Sequence, residues 1–133
     1  MRRNVSILLF VCLACVGCGD GNSAATIQGK VTLDKLPIET GSISFAPQDG
    51  QTASEEVPIV AGQYTAQVPP GKKLVKIIGF KKVGERLAFA NDPNSRKIDE
   101  TVPIVPEKYN TNSDLIRDVS KSDTLDFDLT SAP

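Results

Sequence analysis

The sequence has no His and no Trp, and its 133 residues include only two Tyr and five Phe. Without His it lacks the commonest general base and the commonest metal ligand, so a Ser/His/Asp triad is excluded. So few aromatics leave little surface on which a base or a sugar could stack. All three cysteines (Cys12, Cys15, Cys18) fall within the first 18 residues, which excludes a disulfide framework from the rest of the chain. An excess of one charge is missing too. Fifteen Lys and Arg stand against sixteen Asp and Glu, a formal −1, and this is not the balance of a nucleic-acid binder. A membrane-spanning helix needs about 20 apolar residues, and the run from Val5 to Ala14 stops well short of that before Asp20.

What the N-terminus does contain is ordered. Arg2 and Arg3 come first, then the apolar run, then small residues up to Cys18 and Gly19. This is the order of a secretory signal. It resembles a bacterial lipoprotein signal, in which a small residue immediately precedes the lipid-modified cysteine; here Gly17 precedes Cys18. The position three residues before that cysteine is Cys15, where such signals usually have Leu. Lipidation at Cys15, after Ala14, is the second choice, and ordinary cleavage near Ser23-Ala24-Ala25 the third. The expected organisation is a signal over 1–17, a small and polar tether over 18–25, and one domain over 26–133. Removing 1–17 leaves 13 bases against 16 acids, or −3.

From Thr26 onward, apolar and polar residues alternate with period two, the pattern of strands with one buried face. The inward set comprises Ile27, Val31 and Leu33; Ile43 and Phe45; Val57 and Ile59; Tyr64, Ala66 and Val68; Val75 and Ile77; Ile104; and Leu125, Phe127 and Leu129. The run Leu74 to Lys82 is apolar on both faces, which suggests a central strand or one partly covered by a loop, and Pro103 suggests an edge. Asn112 or Ser113 is placed to cap a helical turn through Leu115, Ile116 and Val119. About seven short strands separated by Gly and Pro turns predict an all-β, antiparallel two-sheet sandwich.

The segment Gly29-Lys30-Val31 through Asp34-Lys35-Leu36-Pro37-Ile38 to Gly41-Ser42-Ile43-Ser44-Phe45 resembles the opening of carboxypeptidase-regulatory-like and transthyretin-like domains. Gly62-Gln63-Tyr64-Thr65-Ala66-Gln67-Val68-Pro69-Pro70-Gly71 resembles the hairpin that follows in that family. The resemblance covers about residues 26–82 and implies a single Greek-key β-sandwich of the transthyretin (prealbumin) type. The segment from Pro106 to Leu129 is similar to the tail of small bacterial surface lipoproteins. These resemblances imply fold and location, and no reaction.

Candidate sites are few. Lys72, Lys73, Lys76, Lys81, Lys82 and Arg86, against Glu85, suit an anionic partner such as a glycan, a lipid head group or an acidic protein, although lysines also protect strand edges. Asn91, Asp92, Asn94, Asp99 and Glu100 carry oxygen ligands without the spacing of a calcium loop. Tyr109, Phe80 and Phe89 are the aromatics available to a sugar. Tyr64 is expected to point inward, with its hydroxyl on a backbone partner at the rim. Asp126 and Asp128 are expected to point outward and to face lysines of the strand beginning near Leu74. No metal or cofactor is expected. The function expected is that of a membrane-anchored, non-catalytic interaction or structural module of the cell envelope, on the periplasmic or outer side. Envelope proteins or glycans are its expected partners, and a glycan-binding accessory module is the alternative.

Overall fold

The structure, a computed structural model, describes residues 23–50 and 52–132. It is all-β, with no α-helix among the described residues. The strands are β1 (Ala25–Leu33), β2 (Leu36–Pro37), β3 (Thr40–Pro47), β4 (Glu55–Val60), β5 (Gln63–Val68), β6 (Gly71–Leu87), β7 (Lys97–Pro103), β8 (Leu115–Val119), β9 (Asp123–Thr124) and β10 (Phe127–Leu129). A 3-10 turn covers Glu107–Tyr109.

The strands form one curled sheet in the order β10-β1-β5-β4-β3-β6-β7, with β8 also on β6 and β9 also on β1. The ladders are antiparallel, except that β9 and β10 run parallel to β1. Curling is forced by connectivity. Residues 120–122 alone separate β8, bonded to β6, from β9, bonded to β1. Four extended steps span about 14 Å, so the two sides of the sheet are drawn together. Opposite them, β4 and β5 share a single register pair, Val60 with Gln63, and then part.

Two tight turns set the register. Asp34 and Lys35 join β1 to β2 with φ of 50° and 71°, and Ala61 and Gly62 join β4 to β5 with φ of 50° and 74°. Positive φ at both central residues is the type I′ geometry, whose twist matches that of the flanking strands.

Every residue of the expected inward set is buried or packed half-buried against the core. Ile27, Val31, Ile43, Phe45, Val68, Val75 and Ile77 are fully enclosed. The Tyr64 ring lies 6.0 Å from that of Phe45 and 6.3 Å from that of Phe127, joining β3, β5 and β10. Strand β6 is central as expected, with β3 along one edge and β8 and then β7 along the other.

Three expectations are corrected. Residues 115–119 form a strand, not a helical turn. Ser113 Oγ donates to the carbonyl of Val75 on β6 instead of capping a helix, and the open edge of β6 over Gly71–Val75 takes Leu115–Val119 as a partner. The strand read as Leu74 to Lys82 does not end there, because β6 runs on to Leu87 and pairs with β7. Finally, β10 closes on β1 and not on the lysine-bearing β6. Asp126 and Asp128 do point outward, but Asp126 Oδ1 accepts the Lys30 amide at 2.8 Å, and Asp128 accepts from the Thr32 hydroxyl and meets Lys35 at 3.4 Å.

Candidate functional site

The ladders define two poles. Ala25 pairs with Val68, and the Pro69-Pro70 link delivers the chain to Gly71, so the start of the domain and the start of β6 share one end. At the other end lie Leu33, Thr40 and Phe80, the last two paired across β3 and β6. Nine residues of β1, at about 3.3 Å each, separate the poles by roughly 26 Å. The chain before Ala25 therefore enters at the pole away from Leu33.

At the Leu33 pole, β6 outruns β3. From Lys81 to Leu87 its only strand partner among the described residues is β7, so the two form a hairpin arm. A bulge at Val83 shifts the register between Lys82 and Gly84. Lys82 stands between Asp99 at 2.6 Å and Glu85 at 3.1 Å. Hydrogen bonds to Asp99 first, and to Glu85 second, raise its pKa above the ordinary lysine value. With all three side chains about half exposed or more, this pairing orients the arm more than it stabilises it.

Between the arm and the β1–β2 turn lies a groove of about 630 Å³, with Leu33, Leu36, Phe80 and Ile104 on its walls and Asp34, Lys81 and Asp99 among its polar groups. Leu36 is 70% exposed. A large apolar side chain left in water beside a concave, mainly apolar wall marks a surface suited to a partner. A second, shallower hollow of about 410 Å³ lies over β1 and β5. Gln28, Lys30, Gln63, Thr65, Thr124 and Asp126 line it with amide, hydroxyl and charged groups.

The sequence-derived candidates are dispersed. Cys15 and Cys18 lie outside the described residues. The basic residues of β6 do not form one patch. Lys72 and Lys76 share the outer parity of the strand, while Lys73 faces the core at 1% exposure with its Nζ 3.0 Å from Thr52 Oγ1. Lys81, Lys82 and Arg86 belong to the arm, and Lys82 is engaged by acids.

In the acidic loop, Asp92 Oδ1 accepts the Asn94 amide and Asp99 holds Lys82. Among the described residues, no three His, Cys, Asp or Glu side chains converge as a metal site. The three aromatics do not share a surface. Phe80 lines the groove and Phe89 is 71% exposed nine residues further on, while Tyr109 packs half-buried against the core. Tyr64 is placed as expected, donating to the Leu125 carbonyl at 2.8 Å. The groove joins Leu36 of β2 to Phe80 of β6, which no local pattern in the sequence links.

No family model matches the chain, and no curated protein matches it. Among solved structures it is similar to a 9R-lipoxygenase from Cyanothece PCC8801, at 12% identity and a TM-score of 0.38. The match covers 98% of this chain and 18% of that one, so the chain spans less than a fifth of that protein's length. A likeness this distant transfers neither fold nor activity.

Proposed function

We propose that this is a lipid-anchored envelope protein, held at Cys18, whose domain is a non-catalytic interaction module. The observation that carries the reading is the order of the N-terminal residues: Arg2 and Arg3, the apolar run, Gly17 and Cys18, then a short polar tether that ends where β1 begins at Ala25. In this reading the curled sheet is a transthyretin-like Greek-key sandwich. The parting of β4 from β5 supports two layers. The groove, at the pole away from the tether, is the surface offered to an envelope protein.

Fractionation tests the anchor. Acyl burial contributes about 0.8 kcal/mol per CH₂, so Cys18→Ala should move the protein from a detergent-dependent membrane fraction to a soluble one and abolish metabolic labelling with palmitate. Labelling that persists in Cys18→Ala and vanishes in Cys15→Ala would shift the anchor to Cys15, and labelling indifferent to both would end the reading. A second reading, a glycan-binding accessory module, is favoured by the polar hollow, whose amides, hydroxyls and carboxylate match sugar hydroxyls. Calorimetric titration with envelope oligosaccharides should then give heat that Gln63→Ala removes. No heat with any of them rejects that reading.

A further inference from the structure

The outer edge of the arm is β7, which ends the sheet and pairs with no strand but β6 among the described residues. An open edge strand is a template for another strand, and charges along it usually prevent such pairing. Here the charges have a pattern. Around Ile98 the sequence reads Arg96-Lys97-Ile98-Asp99-Glu100, two bases, one apolar residue and two acids. All four charged side chains are exposed.

We infer that β7 is a homophilic edge: a second copy of this chain adds to it antiparallel, in the register centred on Ile98. Two-fold antiparallel pairing sets residue i opposite a residue equally far beyond the centre. Lys97 of each copy then meets Asp99 of the other, Arg96 meets Glu100, and Ile98 meets Ile98. Opposite charges directly across a ladder attract, and like charges repel. Moving the centre to Asp99 or Glu100 places two carboxylates face to face. Moving it by half a step sets Ile98 against Asp99. The charges that repel an arbitrary strand thus select one register of one partner, so that one set of side chains supplies both attraction and exclusion.

The pairing is self-complementary, as a two-fold interface requires. It joins β6-β7 of one copy to β7-β6 of the other in a continuous four-stranded ribbon. It also sends the two domain bodies, and so their tether poles, to opposite ends of the assembly. The inference needs the arm alone and stands whether or not Cys18 carries lipid.

The test uses the chain from residue 19 onward, which contains every strand found among the described residues, and sedimentation over a range of concentrations. The wild type should show a monomer–dimer equilibrium that weakens with added salt. Arg96→Glu and Glu100→Arg each put like charges together twice, and each should weaken self-association by roughly tenfold or more. These two positions are chosen because Asp99 already holds Lys82. Mixed in equal amounts, the two variants should restore the dimer, since each supplies the charge the other lacks. Circular dichroism of each variant establishes that the sheet is intact. A chain that remains monomeric at every concentration overturns the inference. So does a dimer indifferent to both substitutions, or a mixture that fails to recover.

Discussion

The hydroxyl of Tyr64 donates to the carbonyl oxygen of Leu125 at 2.8 Å, reaching from β5 to the segment between β9 and β10. Gly29 of β1, the register partner of Tyr64, permits this contact, since a Cβ there would stand 1.9 Å from the Leu125 oxygen. The chain's last strands therefore lock onto β1 at the point where β1 has no side chain. Burial first, and the Asp126 carboxylate second, raise the Tyr64 pKa well above its ordinary 10. Its neutral form is favoured in the folded state, so its contribution is fully present below about pH 10 and is lost as pH rises beyond that. Tyr64→Phe should cost about 1–2 kcal/mol at neutral pH. Urea melts at pH 8 and above pH 10 should then show wild type losing its advantage over the variant, and a gap that widens with pH would contradict this account.

Phe127 and the acids beside it play opposite parts in β10. Phe127 is 3% exposed, with Tyr64 against its ring and Arg117 over it at 5.2 Å. Phe127→Ala should cost about 3–5 kcal/mol through the cavity it leaves. Asp126→Asn with Asp128→Asn keeps an oxygen acceptor for the Lys30 amide and the Thr32 hydroxyl, and should leave the midpoint nearly unchanged in physiological salt. Denaturant titration compares the two. Greater damage from the Asn pair would mean that the inward face of β10 is misassigned.

The turn between β4 and β5 makes two neighbouring residues respond in opposite senses. Ala61 bears a side chain at φ 50°, which costs about 1 kcal/mol in the left-handed region, so Ala61→Gly should stabilise by about 0.5–1 kcal/mol. At Gly62, φ is 74° and an added Cβ would lie 2.6 Å from Pro37 Cβ. Gly62→Ala should therefore destabilise by more than about 1 kcal/mol. Thermal melts of the two variants should shift in opposite directions.

Lys73 carries a charge into the core, with Thr52 Oγ1 at 3.0 Å as an acceptor. Thr52→Val removes that acceptor and should cost about 1–3 kcal/mol. Lys73→Met, close in volume and free of the charge, should be neutral or stabilising. In the double variant the cost of Thr52→Val should largely disappear. Additive effects in this cycle would show that the two side chains do not depend on each other.

The sequence by itself determined which residues face inward, because period-two alternation can be satisfied in only one way when one face of a strand is buried. It also determined the class, since no segment offered a long helical stripe, and the inward Tyr64 with its backbone partner, since a buried phenol requires an acceptor. What the tertiary structure alone decided is which strand lies beside which. Leu115, Ile116 and Val119 fit a helical turn as well as a strand, and the open edge of β6 settled the matter by supplying hydrogen-bonding partners. Lys73 reads as a surface charge until the parity of β6 turns it inward. Asp126 and Asp128 carry no local sign that they meet β1 and not the lysines of β6. The groove between Leu36 and Phe80 is likewise a product of assembly, because it joins residues 44 positions apart. Alternation is a property of one strand and its solvent, and is therefore local; pairing depends on the free energy of every competing edge at once, which no segment of the chain contains.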